Sequence, residues 1–466
     1  MRRTLMTVIC VAVLLVGYGA ADAHDRVPGV LTIDREVAQQ APRAEPTRPV
    51  LEPVSTDAPV PTTAGLTAAI GEDITAEALG PRTSAVVRDA LTGDVLYAHD
   101  PDRPITPAST AKLLTAAAVA QRADLSRVMT TKVVTGDQPD ELVLVASGDT
   151  MLARGAGDPT AVEGRAGLAD LAKQVAASLG GQGADATYSL RLDMTYAHGP
   201  RYPSTWDMAD VADGYTQGVT MIGLAGDRPK PFEPSPKVPE RVVLEAFATQ
   251  LERAGVEVEA DLSSSTWQRP APEGAAVLGS VDSAPLGDVL ALALDDSDNA
   301  LTENVARQAA LADGAATSFE AVTDWVHRTL VDAGIDMTGV ELVDNSGLSS
   351  GQLVPARVIS QVMQLGITGS AQTMSGVLAD LPVAGLTGTL HERFRADDSR
   401  AAAGLARAKT GTLTGTSALA GTTTTADGRL LTYVFLADRV PATTGTLGAR
   451  AVLDRMVADL TECGCR

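Results

Sequence analysis

Lysine, asparagine, cysteine, histidine and aromatic side chains are all scarce in this 466-residue chain, and each scarcity excludes something. With aromatics at 3%, the core must be built from Ala, Val and Leu, for which a hydrophobic content of 45% is ample. The five histidines are dispersed, with no His-Glu-x-x-His and no Cys-x-x-Cys, so no metal and no cofactor is predicted. Positive charge is short: 37 Lys and Arg against 58 Asp and Glu give a formal net charge of −21. That balance argues against nucleic-acid binding, which needs a basic face, and gives no attraction to an anionic membrane surface. Any anionic substrate must be drawn by local cations.

Long apolar runs are absent too. The apolar stretch from Leu5 to about Val16 follows Arg2 and Arg3 and precedes Ala21-Asp22-Ala23, the pattern of an export signal over residues 1–23. It is short for a membrane span, and retention as an uncleaved anchor is the alternative. Cys10 lies inside this run without the small-residue context of a lipoprotein signal. Cys463 and Cys465 are separated by one residue, so they can pair with each other only in a tight ring. We expect a solvent-exposed tail there, as a disulfide or as free thiols.

The length suggests two or three units. Residues 24–65 are rich in Pro, Thr, Ala and Asp and cannot bury enough apolar surface to fold alone, which predicts an extended tether. Ser84–Asp89 and Val95–His99 read as a β-hairpin, as do Ser417–Thr422 and Arg429–Leu436 around Ala426-Asp427-Gly428. A helix is expected to start at Ser109, another over Leu286–Leu311 with Ser297 in its middle, and a last one over Thr446–Leu460. Hairpins at both ends with helices between predict an α+β fold, with one antiparallel sheet flanked by helices whose halves come from the two ends of the chain. Residues 133–265 carry their own strand signal (Leu142–Val145) and helix signal (Gly167–Leu179) and read as a large inserted second domain. The first domain then comprises 66–132 and 266–466.

What is present in this lysine-poor chain is concentrated. Only six lysines and three asparagines occur, yet two lysines and one asparagine fall in Ser109-Thr110-Ala111-Lys112, Ser297-Asp298-Asn299 and Lys409-Thr410-Gly411-Thr412. No other Ser-x-x-Lys, Ser-x-Asn or Lys-Thr-Gly occurs in the chain. On a helix, Ser109 and Lys112 share a face. A serine hydroxyl is a weak nucleophile until a base takes its proton, and a lysine can do so only if burial and a second cation lower its pKa. Lys409 can supply that cation, Ser297 a proton relay, and Asn299 a ligand for a substrate amide. Thr410 and Thr412 beside Lys409 make a carboxylate site, and the backbone N–H groups of Ser109 and Thr412 an oxyanion hole. Each motif alone reads as a helix cap, a polar helix patch or an edge strand; the set reads as acyl transfer.

The set resembles the active-site-serine penicillin-recognising enzymes, and within them the class C low-molecular-mass penicillin-binding proteins, the D-alanyl-D-alanine carboxypeptidase/endopeptidase family. Gly148-Asp149, Asp344-Asn345-Ser346-Gly347-Leu348-Ser349, Leu381-Pro382-Val383-Ala384-Gly385 with Gly388-Thr389-Leu390, and the insert itself add to the likeness over roughly residues 80–460. The resemblance implies a transpeptidase/β-lactamase-like fold, Ser109 as acylated nucleophile, Lys112 as its base, Ser297 as proton shuttle, and Asn299, Lys409, Thr410, Gly411 and Thr412 as substrate ligands. It further implies an aromatic–acid cluster from the insert in the cleft, for which Trp206, Asp210 and Tyr215 are candidates; the alternative is that the aromatics belong to the insert's core. The chain departs from the family at Ser350, where an arginine commonly helps recognise the charged end of the stem-peptide side chain, and at Asn345, often glycine.

The expected activity is therefore that of an exported serine DD-carboxypeptidase, with cleavage of cross-links as a further activity. It would act on peptidoglycan stem peptides outside the cytoplasm and be trapped by β-lactam antibiotics. A β-lactamase or esterase on the same scaffold, or a non-catalytic penicillin-binding sensor, are the other readings.

Overall fold

A computed structural model describes residues 56–180, 186–367 and 372–465; the expected export signal and most of the expected tether lie outside them. The strands run in chain order as β1 (Arg82–Asp89), β2 (Val95–His99), β3 (Pro104–Ile105), β4 (Thr130–Thr135), β5 (Glu141–Val145) and β6 (Tyr188–Asp193). They continue as β7 (Val258–Ala260), β8 (Val277–Asp282), β9 (Val354–Pro355), β10 (Arg407–Leu413), β11 (Thr416–Thr424) and β12 (Leu430–Asp438). One sheet has the order β10-β11-β12-β1-β2 and is antiparallel throughout. Both expected hairpins are in it, and the two ends of the chain meet at β1 against β12, with Arg82 opposite Asp438.

Alternation along β12 sends successive side chains to opposite faces, and both faces are covered. Tyr433 and Phe435 pack on one side with Leu66 and Ile70 of the helix Thr63–Ile70 and Leu453, Met456 and Leu460 of the helix Gly445–Glu462. Val434 and Leu436 pack on the other with Leu113 and Leu114 of the helix Lys112–Arg122 and Ile359 and Met363 of Ala356–Ile367. A second five-stranded sheet, β7-β6-β5-β4-β8, mixes parallel and antiparallel pairs and has its own apolar core with the helices Leu168–Leu179 and Pro239–Arg253. Its strands span Thr130 to Asp282, wider at both ends than the segment 133–265. The helix Asn299–Ala312 joins the two parts: Val305 and Ala309 face the main core, while Asn304 Nδ2 donates to Gly148 O and Thr220 O.

Three expectations change. Leu286–Leu311 is two helices, Leu286–Asp295 and Asn299–Ala312, because Asp298 takes the N-cap of the second and its side chain accepts from Leu301 N at 2.8 Å. Residues 62–65, expected as the end of the tether, are part of the fold: Thr62 caps the helix Thr63–Ile70, and its N–H donates to Cys465 O at 2.7 Å. The C-terminal tail forms the Cys463–Cys465 disulfide and is only partly exposed: Gly464 is exposed and Cys465 half-buried, but Cys463 is 5% exposed. The tail lies so close to the first helix that a Cβ on Gly65 would sit 2.7 Å from Cys465 Cβ.

Asp89 and Arg429 hold the sheet to the first described residues. Both are buried; Arg429 Nε donates to Asp89 Oδ2 at 3.0 Å, and its Nη1 donates to Thr56 O and Ala58 O. Removing one member of such a pair leaves the other charge uncompensated. Asp89→Ala is expected to lose about 3–5 kcal/mol of stability in denaturant unfolding; a loss below about 1 kcal/mol would contradict this role.

Candidate active site

The turn before the helix Lys112–Arg122 carries the first motif. Ala108–Ala111 is a single 3₁₀ turn, with Ala108 at φ +47°, a left-handed conformation that costs a non-glycine residue about 1–2 kcal/mol. Ser109 is partly exposed, whereas Lys112 is fully buried. Lys112 Nζ lies 2.9 Å from Ser109 Oγ and donates to Asn299 Oδ1 at 2.6 Å and Ser346 O at 2.7 Å. All three acceptors are neutral. Burial lowers its pKa to about 8, against an opposing pull from Asp344, Asp298 and Glu303.

Two glycines let backbone close on this turn. A Cβ on Gly347 would sit 2.0 Å from Ala108 O, and one on Gly411 2.7 Å from Pro107 O. Through Gly347 the 344–349 loop presents Ser346 O to Lys112; through Gly411 the sheet-edge strand β10 comes against Ser109's turn.

Ser297 sits between two helices at φ +58°. Its Oγ accepts from Lys409 Nζ at 2.9 Å, and Lys409 also donates to Thr410 O at 2.9 Å. Lys409 is fully buried, and burial followed by the charge of Lys112 pushes its pKa well below the usual lysine range, with Asp295 partly offsetting this. Asn299 bridges the motifs, accepting from Lys112 and donating from Nδ2 to Tyr215 O at 3.0 Å. Thr410 Oγ1 donates to Thr389 Oγ1 at 2.9 Å, and Thr412 Oγ1 accepts from Arg450 Nη2 at 3.1 Å. The three motifs therefore converge on one place.

The expected aromatic–acid cluster divides. Trp206 is buried in the core of the second sheet, with the Tyr202 and Phe319 rings each 6.4 Å away, and its Nε1 donates to Asp344 Oδ2 at 2.7 Å. Its amphipathic ring is packed in a core with its N–H on a buried carboxylate, the geometry of an anchor. Tyr215 is exposed, its ring 6.0 Å from Phe232, and its carbonyl holds Asn299. Asp210 is partly buried; burial and then Asp207 and Asp213 raise its pKa.

Composition and spacing did not reveal three supporting residues. Asp344 accepts five hydrogen bonds, from Trp206 Nε1, the N–H groups of Ser346, Gly347 and Ser349, and Gln352 Nε2, and so fixes the loop that carries Ser346 O. Glu303, buried and raised to about pKa 8 by burial and by Asp344, accepts from Asn345 N and Nδ2. That partnership explains an asparagine at 345. Arg228 donates from Nε and Nη2 to Asp298 Oδ2 at 3.2 and 2.8 Å while pairing with Glu163 and Asp296, so it pins the residue between Ser297 and Asn299. Among the described residues, no group of three or more His, Cys, Asp and Glu is arranged to hold a metal ion.

The main sheet and its flanking helices have the fold of a penicillin-binding protein. Penicillin binding protein 4 (dacB) of Haemophilus influenzae superimposes with a TM-score of 0.63 at 20% identity, over 86% of this chain and 98% of that one. The chain belongs to the D-Ala-D-Ala carboxypeptidase 3 (S13) family, whose pattern matches residues 66–228 and 227–461. It is 34% identical over 467 residues to carboxypeptidase DacB of Mycolicibacterium smegmatis, covering 100% of this chain and 98% of that protein. A D-alanyl-D-alanine carboxypeptidase of Actinomadura sp. is 30% identical over 419 residues, covering 73% of this chain and 75% of that protein.

If Trp206 acts as the anchor of Asp344, Trp206→Phe should cost about 1–3 kcal/mol in thermal or denaturant unfolding, because a buried carboxylate oxygen loses a donor. An unchanged stability would return Trp206 to the cleft.

Proposed function

We propose that the protein is a serine DD-peptidase that removes the terminal D-Ala of peptidoglycan stem peptides through an acyl-enzyme on Ser109. The observation that carries this is Lys112 Nζ, 2.9 Å from Ser109 Oγ, buried among neutral acceptors that leave its pKa near 8. In the neutral form Lys112 takes the Ser109 proton as Oγ attacks the carbonyl carbon of the penultimate D-Ala. The backbone N–H groups of Ser109 and Thr412 receive the developing oxyanion. Ser297, held by Lys409, relays a proton to the departing D-Ala amine as the peptide C–N bond breaks. Water then hydrolyses the Ser109 ester and the hydroxyl regains its proton.

Asn299 is assigned to the substrate amide, and Lys409, Thr410, Gly411 and Thr412 to the end of the peptide along β10. Asp210 and Tyr215, from the segment 133–265 that we assign as an inserted domain, are assigned to the stem side chain. The same steps cleave a cross-link when the departing amine belongs to a second peptide. β-Lactams would acylate Ser109 as substrate mimics; the Haemophilus influenzae protein has been crystallised with a β-lactam. Such substrates lie outside the cytoplasm, which fits an export signal over residues 1–23 and the tether after it.

Intact-mass analysis of the protein with benzylpenicillin is expected to show one stable penicilloyl adduct, absent in Ser109→Ala. No adduct on the folded protein would remove Ser109 as nucleophile, and an adduct gone within seconds would favour the β-lactamase reading.

The pH dependence follows from Lys112. Below about pH 8 it is cationic and has no lone pair for the Ser109 proton; above that it is neutral. The second-order acylation rate should therefore rise about tenfold per pH unit on the acid side and level off above about 8. A rate that is flat or falls across stopped-flow measurements from about pH 6 to about pH 9 would exclude Lys112 as the base.

A further inference from the structure

We propose that Arg450 is a specificity-determining residue, the cation that selects a free terminal carboxylate on the substrate by acting through the Thr412 hydroxyl. This rests on the serine DD-peptidase reading above. Arg450 lies on the helix Gly445–Glu462 behind the main sheet, and its Nη2 donates to Thr412 Oγ1 at 3.1 Å. Its Nε has no hydrogen-bond partner, and among the described residues no carboxylate forms a salt bridge with it. The charged groups facing it are Arg393 and Asp454, and Asp454 is already taken: Arg393 Nε donates to both of its oxygens, at 3.0 and 3.2 Å. Arg450 is thus a partly buried guanidinium with no carboxylate at salt-bridge distance among the described residues, its attraction to Asp454 shared with Arg393, and such a state is costly unless an anion arrives.

The hydrogen-bond directions show where an anion would be received. Thr412 Oγ1 accepts from Arg450, so its own proton is free to be donated. Thr410 differs, since its hydroxyl proton is directed to Thr389. Lys409, the residue that sequence reasoning favours as the carboxylate cation, is fully buried and directed at Ser297 Oγ and Thr410 O. Burial and Lys112 further disfavour its charged form. Asp295 and Asp298 lie near the same two lysines, so the local field would otherwise repel an anion. The cation that backs Thr412 is Arg450, and a carboxylate on Thr412 completes its charge balance.

The test compares two peptides that differ only at the C-terminus: diacetyl-L-Lys-D-Ala-D-Ala as the free acid and as the carboxamide. kcat/KM is measured for wild type, Arg450→Gln, Arg450→Lys and Thr412→Val, with thermal unfolding to confirm that each is folded. Wild type should prefer the acid. Arg450→Gln should lose about 10–100-fold on the acid and little on the amide, the size of a charge-assisted hydrogen bond. Arg450→Lys should recover part of the preference, and Thr412→Val, with Arg450 intact, should lose it too. A fall by the same factor on acid and amide would make Arg450 merely structural and overturn the proposal, as would an unchanged acid preference. If wild type released no D-Ala-type product from either peptide while remaining folded, the peptidase reading itself would fail, and this assignment with it.

Discussion

Two ammonium groups buried side by side are the constraint on which the site depends. Lys112 and Lys409 are both fully buried; burial disfavours the charged form of each, and Lys112 disfavours it further at Lys409. Among the described residues, neither touches a carboxylate. Lys112 is met by a hydroxyl, an amide oxygen and a backbone carbonyl, and Lys409 by a hydroxyl and a backbone carbonyl. Dipoles at hydrogen-bond distance solvate a cation without locking its proton, as a direct carboxylate would. Asp344, Glu303 and Asp298 stand one layer further out, close enough to oppose desolvation and too far to take the proton. A lysine near pKa 8 is the result of that spacing.

Bringing neutral dipoles this close requires unusual backbone. Ala108 and Ser297 take left-handed conformations, and Gly347 and Gly411 let two further chain segments approach the serine turn. Strain of this kind persists only where the surroundings over-determine it. The second-sheet segment supplies much of that determination: within residues 206–228, Trp206 holds Asp344, the Tyr215 carbonyl holds Asn299, and Arg228 holds Asp298. Each of these bonds reaches a residue in or next to a motif that carries chemistry. The segment is a wall that fixes the site's geometry, in addition to whatever it offers a substrate.

The motifs were legible because their chemistry is written in residue type, and type is rare here: six lysines leave little room for coincidence. The hairpins of β1–β2 and β11–β12 were legible because turn residues separate β-prone runs. The break at Ser297 was not, since Leu286–Leu311 has helix propensity throughout. What ends the helix is Asp298 capping the next one under the grip of Arg228, a partner 70 residues away. Trp206 was visible as an aromatic, but its use as a buried donor depends on Asp344, 138 residues distant. The burial of Cys463 is not legible locally, because it comes from the core formed by the first and last helices, Leu66 and Ile70 with Leu460. Local pattern fixes local elements; which side chain meets which is settled by tertiary closure.

A chain of net charge −21 that handles a carboxylate-bearing substrate cannot rely on its overall field, which repels anions. At physiological ionic strength that field is screened beyond about 8 Å, so acids elsewhere on the surface contribute little at the serine. Recognition then has to be made by contact. Burial, and then the neighbouring Asp207 and Asp213, raise the Asp210 pKa, which makes that cluster a poor place for an anion and a good one for a cation or a neutral donor. Thr412, backed by Arg450, has the opposite character. A peptide that carries a carboxylate at one end and donors along its side chain can satisfy both in one orientation only. Under the assignments proposed above, polarity of this kind would set the direction in which a substrate lies across Ser109 without any steering from outside the cleft.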